Sequence, residues 1–302
     1  MKVKQHIPAE LRYTMKHFNA EFPNDVACLE YVKEHRWPNG IAPCAKCKMD
    51  RKHHHVGNRT AYACDHCGNH IYPLAGTIFE KSSTPLKTWF YAMYLMGSTR
   101  CGISAKQIQR ETGVTYKTAW RMFRQIRTLL SEPDLRLEGS TVEVDETYMG
   151  GVRKYNRGRP MRGDKKKTPV IGLVERGGRA YAKVIKNAKA STLVPIIRNR
   201  VIPGSVIYTD ELPAYNTVAE NRRYTHYRIN HKHQGYVRGH IHTNSIEGLW
   251  SLLKRGIGGV YHAVSPEYLQ TYLDEYCFRY NHRFEGNLQF KTILGRVSRR
   301  AS

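Results

Sequence analysis

Thr141-Val-Glu-Val-Asp-Glu-Thr-Tyr-Met-Gly-Gly151 is the stretch on which the reading of this chain turns. β-Branched residues alternate with acids, and two glycines close the run, which predicts a strand ending in a turn. Successive side chains leave a strand on opposite faces. Val142 and Val144 therefore point one way, and Glu143 and Asp145 the other. Downstream, Pro169–Glu175 and Ala180–Lys186 read as two more strands parted by Gly177-Gly178, and Ser191–Arg200 reads as a helix. Ser205-Val-Ile-Tyr-Thr-Asp210 is a short apolar strand with an acid at its end. This alternation predicts an α/β domain, a mixed sheet flanked by helices.

Further on, Asn244-Ser-Ile-Glu-Gly-Leu-Trp-Ser-Leu-Leu-Lys-Arg255 reads as a helix with Glu247 in its first turn. Asp145, Asp210 and Glu247 thus form an ordered trio of acids. Phosphodiester cleavage requires a nucleophile and a leaving oxygen held in line, with charge neutralised at both. Two divalent ions about 3.5–4 Å apart do this. Mg²⁺, or Mn²⁺ in its place, takes carboxylate oxygens, water and phosphate, and not thiolates. Each acid also has a simpler reading. Asp145 reads equally as a solvent-facing strand acid, with Glu143 or Glu146 as the ligand instead. Asp210 reads as the start of an Asp-Glu-Leu-Pro turn. Asn244-x-x-Glu247 has the spacing of a capping box.

Working towards the N-terminus, residues 84–130 predict three helices. Thr84-Pro85 is a helix start, followed by an apolar stripe of Leu86, Trp89, Phe90 and Met93. Ser104 and Gln107 have capping-box spacing, and Thr112-Gly113 closes that helix. The third helix follows Thr115, with Ala119, Phe123, Ile126 and Leu130 on one face and Lys117, Arg121 and Arg124 on another. A short helix, a glycine turn and a basic-faced helix is the layout of a DNA-reading helix-turn-helix. The bland alternative is a helical hairpin with a solvated charged face.

Within 25–80, Cys44-Ala-Lys-Cys47 and Cys64-Asp-His-Cys67 are two Cys-x-x-Cys pairs. Two such turns on facing hairpins complete a closed tetrahedral site, which predicts a structural Zn²⁺ in a zinc ribbon. A redox dithiol is the rival. Most of His53, His54, His55, His66 and His70 read as solvated and none as a ligand, and Cys28, Cys101 and Cys277 read as small buried residues.

The rest of the 302 residues adds a charge argument. Lys and Arg total 49 against 25 Asp and Glu, a net charge of +24, which favours nucleic acid or an anionic membrane surface as a partner over a small neutral ligand. The apolar fraction of 40% excludes wholesale disorder. The longest apolar run, near Trp89–Met96, is too short for a membrane span, and no secretory signal is visible. A cytoplasmic, nucleoid-associated protein is expected. The remaining divisions read as a lead-in over 1–24, a linker over 131–140 and a catalytic domain over 141–285. That domain carries a basic loop at 153–167 that wraps DNA or serves as a tether, and a basic tail follows over 286–302. His231, His233, His240 and His242 precede the Glu247 helix. Trp250, Tyr268, Tyr272, Tyr276 and Tyr280 read as core.

The two Cys pairs resemble those of insertion-sequence transposases of the ISXO2-like group. So do AGTIFEKSSTPLKTWFYAMYLM (75–96), GVTYKTAWRM (113–122), VDETYMGG (144–151), YTDELPAY (208–215) and HTNSIEGLWSLLKRGIGGVYHAVSPEYLQTYLDEYCFRYN (242–281). The resemblance runs from about residue 25 to 285. It implies an RNase H-like catalytic domain with a DDE triad, mapping Asp145 and Asp210 onto the aspartates and Glu247 onto the third acid. It also implies that Lys254 contacts DNA near the scissile phosphate. Seven residues are almost two helical turns, so Lys254 shares a face with Glu247. The expected activity is cutting at the element's terminal inverted repeats by two-metal hydrolysis, then joining of the 3′-hydroxyl to target DNA. The partners are double-stranded DNA, both element ends and target, and a second copy of the chain, since paired ends need a homodimer or larger. A catalytically silent DNA-binding regulator, an RNase H-type nuclease and a basic scaffold are the rival readings.

Overall fold

The computed structural model describes residues 8, 12–99, 101–150, 155–156, 159–160, 167–229 and 243–298. The chain divides into two compact units, Met1–Leu129 with Glu285–Ser302, and Leu130–Phe284.

The first unit opens with α1 (Met15–Glu21) and α2 (Asp25–Arg36). Asn24 starts α2, its side chain accepting from the Ala27 N–H at 3.0 Å. The stretch expected as a lead-in is therefore packed structure: Phe18 and Phe22 are buried, with their rings against Phe290. Next comes an antiparallel sheet of β1 (Ile41–Pro43), β2 (Asp50–His55), β3 (Tyr62–Cys64) and β4 (His70–Ile71), in that order. Tyr62 donates to Glu30 of α2 at 2.7 Å, tying helix to sheet.

Three helices follow, α3 (Leu86–Ser98), α4 (Ala105–Thr112) and α5 (Tyr116–Thr128). Their apolar stripes are buried as the periodicity predicts: Leu86, Trp89, Phe90 and Met93 on α3, and Ala119, Phe123 and Ile126 on α5. Gly113 ends α4 at φ 70°, the left-handed cap that glycine adopts freely. Ser104 caps α4, accepting from the Gln107 N–H. The reciprocal half of the expected capping box is not made, because the Gln107 amide turns to Glu111 instead.

The second unit contains a five-stranded mixed sheet. Its strands are β5 (Thr141–Met149), β8 (Thr168–Glu175), β9 (Ala180–Val184), β10 (Val206–Thr209) and β11 (Thr225–Arg228). A separate hairpin, β6 (Tyr155–Asn156) and β7 (Arg159–Pro160), falls within the basic loop. The rest of that loop up to residue 166, and His231, His233, His240 and His242, lie outside the described residues. The sheet order is β11-β10-β5-β8-β9, with β8 and β9 antiparallel and β10 and β11 parallel.

Both faces of the sheet are covered. On one, Val142, Val144, Ile171 and Leu173 pack against α6 (Ala190–Arg200) and a 3-10 helix over Pro213–Arg222. On the other, Val170 and Val174 pack against α7 (Asn244–Gly256) and α8 (Leu269–Asn281). The stretch 131–140 is not a free linker. Leu135 and Leu137 are buried in the first of these cores, and Leu137 bridges to Val201. Composition misleads there because two leucines among polar residues carry all the packing.

The chain returns to the first unit with α9 (Gln289–Leu294), in which Phe290, Ile293 and Leu294 are buried. The expected basic tail therefore includes a packed helix. Cys28 and Cys277 are buried as expected, but Cys101 is exposed.

On α8, Asp274 accepts from the Gln270 amide at 2.8 Å, and burial pushes its carboxyl up to about 6. The folded state thus keeps a proton that the unfolded chain releases near pH 4. Stability falls as pH rises through that window and stays lower above it. Asp274→Asn is expected to raise the melting temperature at pH 8 and to change it little at pH 4. The same shift at both pH values would contradict this assignment.

Candidate active site

β10 pairs with β5 only from Val206↔Thr141 to Tyr208↔Glu143. β5 then runs on past the end of β10, and the edge beyond is uncovered by that strand. Asp145 and Glu146 lie on this extension, and Asp210 follows β10 directly. Consecutive strand residues normally face apart. Here both carboxylates reach round the open edge. Oxygens of Asp145, Glu146 and Asp210 all lie within 4.8 Å of one another.

Each of the three is held by a neutral donor. Trp250 Nε1 donates to Asp145 Oδ2 at 2.8 Å, and the Tyr215 hydroxyl donates to Glu146 Oε2 at 2.6 Å. The Leu212 N–H donates to Asp210 Oδ1 at 3.0 Å, a local Asx turn. Among the described residues no Lys or Arg pairs with any of them, in a chain that carries 49 such residues. Burial is the main cause that pushes Glu146 up to about 7, with the charges of Asp210 and Asp145 adding to it. Burial also raises Asp145. The Trp250 hydrogen bond opposes that rise, while Asp210 and Glu247 add to it. Partly buried, mutually repelling carboxylates make a set that a hard divalent cation fits.

Trp250 reaches Asp145 because Gly172 makes room. Gly172 lies opposite Asp145 in the β5–β8 register. A Cβ there would stand 2.5 Å from Trp250 Cη2 and 2.8 Å from Ile246 Cδ1. Gly172→Ala is expected to cost about 1–3 kcal/mol through overpacking. Trp250→Phe fills most of the space but removes the donor, and is expected to cost less, about 1 kcal/mol. Calorimetric melting orders the two variants; the reverse order would contradict this packing.

The neighbouring acids have different work. Glu143 is fully buried. Its Oε1 accepts from Arg176 Nε at 2.7 Å, and its Oε2 accepts the Ser245 and Ile246 N–H groups at 2.8 and 3.0 Å. It caps α7 from the sheet and is spent as a ligand. The capping role that the Asn244-x-x-Glu247 spacing suggested for Glu247 is thereby filled from elsewhere. Glu247 is exposed on the first turn of α7 and is not among the acids that meet within 4.8 Å. It lies one turn before Trp250, on the same side of the helix, and its charge is felt at Asp145. Lys254 is exposed near the end of α7.

In the first unit the four cysteines converge. Cys44 Sγ lies 3.5 Å from Cys67 Sγ, and Cys47 Sγ lies 3.9 Å from Cys64 Sγ. The two turns are built alike. Cys44 and Cys64 each donate N–H to a carbonyl five residues on, Met49 and Asn69. Each also accepts, at its own carbonyl, from the N–H four residues on. Those residues, Lys48 and Gly68, are both left-handed, at φ 54° and 68°. The Cys47 N–H points at Cys44 Sγ at 3.4 Å and is the main cause pulling that thiol down to about 6. Four thiols aimed at one point fit Zn²⁺. His53 is buried rather than solvated, with Nδ1 3.0 Å from the Arg51 carbonyl.

Lys117, Arg121 and Arg124 are exposed along α5. Arg121 donates to the Glu80 carbonyl at 3.0 Å. Sequence reasoning had no signal for Tyr215, Gly172 or the second role of Trp250. Only the register and the packing of α7 bring them to the acids. Trp250, Tyr272 and Tyr276 are buried as expected.

A transposase zinc-ribbon domain model matches residues 23–70, and an ISXO2-like transposase domain model matches residues 136–281. A protein of Halobacterium salinarum, described as uncharacterized and belonging to transposable element ISH50, is 30% identical over 275 residues. That match covers 86% of this chain and 92% of that protein. An uncharacterized transposase-like protein of Haemophilus influenzae is 33% identical over 103 residues, 34% of this chain and 81% of its own length. The crystal structure of a pre-cleavage Mos1 transpososome overlaps 64% of this chain and 74% of that one, at 12% identity and a TM-score of 0.28, which is too loose to bear on the fold. The matches define the class as an insertion-sequence transposase. The chain belongs to the ISXO2-like transposase family. No helix among the described residues is long and apolar enough to cross a membrane.

Proposed function

We propose that this chain is a DDE-type DNA transposase whose second unit is an RNase H-like catalytic core. The observation that carries the reading is the meeting of Asp145, Glu146 and Asp210 at the open edge of β5, with no Lys or Arg paired to them among the described residues. The antiparallel run β5-β8-β9, with β10 and β11 parallel beside it, supports the RNase H-like reading. Asp145, Asp210 and Glu247 hold two Mg²⁺ ions, and Glu146 joins them. When bound, the ions neutralise charge on the scissile phosphate and lower the pKa of bound water. The Trp250 and Tyr215 donors fix where the carboxylates point. Lys254 contacts the phosphate backbone on the side of α7 that carries Glu247.

Cys44, Cys47, Cys64 and Cys67 hold the structural Zn²⁺. α4 and α5 form a helix-turn-helix that, with the ribbon, binds the terminal inverted repeats. Lys117 and Arg124 meet phosphates and base edges. Arg121 is already engaged with a backbone carbonyl, which orients its guanidinium. Two or more copies act together on paired ends, at the nucleoid.

The test is transfer in vitro. Purified protein, Mg²⁺, a donor fragment carrying the gene's own flanking DNA and a supercoiled target plasmid are mixed. Joined donor–target product is expected. Specific binding to the flanks without cleavage would favour the silent regulator, and unselective nicking the nuclease.

A further inference from the structure

A cavity of ≈ 460 Å³ opens in the second unit, bounded by the end of β5 and by the turn after α7. Its walls follow directly from the elements that carry the acids. Tyr148 is three residues past Asp145, about 10 Å along a strand. Lys254 is seven residues past Glu247, about 10 Å along a helix. Met149 and Leu269 give an apolar floor, and Lys167 and Lys254 are exposed at the rim. Tyr148 is 52% exposed, although it carries a large aromatic side chain. An apolar floor with a few convergent polar groups is the composition of a ligand site.

The backbone of this wall is irregular. α7 runs into a π turn over Ile257–Tyr261, and His262 follows at φ 59°. π turns and left-handed non-glycine residues cost energy and concentrate at functional positions. A Cβ at Gly258 would meet no described atom within 4 Å beyond its own turn and chain neighbours.

We propose that this cavity receives one unstacked nucleotide of the DNA strand that is cut. Its base lies on the Tyr148 ring, and its phosphates meet Lys167 and Lys254. The proposal rests on the transposase reading above and goes beyond it by naming a second DNA subsite. The chemistry selects the ligand. Two cations suit phosphates, an exposed aromatic face suits a base, and every base has a π-face to offer. A base inside a duplex must first be unstacked, whereas an unpaired base is spared that cost.

The probes are duplexes from the gene's flanking DNA, either fully paired or carrying one unpaired thymidine at successive positions across the cut. Affinity is measured by fluorescence anisotropy without Mg²⁺. At one position the unpaired probe is expected to bind about tenfold more tightly than the paired one. Tyr148→Ala is expected to bring that ratio to about one, and Tyr148→Phe to keep it, since the ring remains. Tyr148→Ala is expected to keep its affinity for the paired duplex, whereas a merely misfolded protein would lose both affinities. Equal affinity of the wild type at every position, or an unchanged ratio in Tyr148→Ala, would overturn the proposal. Adding Mg²⁺ to the paired duplex separates the two readings. Cutting without any preference leaves the transposase and removes the subsite. Neither binding nor cutting removes both.

Discussion

Asp210→Asn is expected to lower metal-dependent DNA cleavage by about 10³-fold while raising the melting temperature of the metal-free protein. In the proposed site, the activity loss follows from removing one charged ligand of the cations. Metal stabilisation of transition-state charge is worth several kcal/mol, and about 4 kcal/mol corresponds to roughly 10³-fold. The gain in stability follows from the same charge. Asp210 pushes Asp145 and Glu146 towards their protonated forms, so neutralising it relieves repulsion in a partly buried cluster. The amide also keeps the acceptor for the Leu212 N–H, so the turn survives. A gain of about 1 kcal/mol appears as a rise of about 2–4 °C. Scanning calorimetry and a gel-based cleavage assay read the two effects on one preparation. A variant that loses both activity and stability would mean that Asp210 is structural. Sites that trade stability for chemistry behave as predicted here.

Stripping zinc is expected to unfold the ribbon while leaving the second unit intact. The sheet of β1 to β4 is short, its strands running from 2 to 6 residues. It buries few apolar side chains, chiefly Ala42, Ala61 and Tyr62. Such a sheet does not fold alone. Structural Zn²⁺ contributes about 10 kcal/mol or more to folding in comparable small modules. Chelation, or Cys47→Ser, is therefore expected to open the stretch around residues 41–71 to protease. The melting transition of the sheet built on β5 is expected to persist, because its two cores are built of apolar side chains. Equal protease resistance with and without the chelator would show that the four cysteines do not hold the ribbon together.

The elements of the second unit were legible because their periodicities are strong. The Val142–Val144 alternation, the Ser205–Asp210 run and the 191–200 helix all appear close to where they were read. The acid at 210 was legible because an acid at the end of an apolar strand stands out, and the acid at 145 because it interrupts a β-branched alternation. What was not legible depends on pairing between distant segments. Glu143 and Asp145 share a strand face, yet one caps α7 and the other meets Glu146 and Asp210. That difference is set by where β10 stops and where α7 begins, about a hundred residues downstream. Gly172 carries no local mark of its purpose, which is to admit the Trp250 ring opposite Asp145. Trp250 read as core from helical spacing and is core, but its indole N–H is a second property that spacing does not report. In the other direction, polar composition concealed packing. Leu135 and Leu137 sit in a stretch that reads as a linker, and Phe290, Ile293 and Leu294 in one that reads as a tail.

If the acids at the open edge of β5 form a divalent-metal site, calorimetric titration with Mn²⁺ detects it. The measurement belongs at pH 8, where Glu146, held up to about 7, is ionised. Wild-type protein is expected to show saturable Mn²⁺ binding that Asp210→Asn lacks. The same isotherm from both proteins, or no binding by the wild type, would contradict the account.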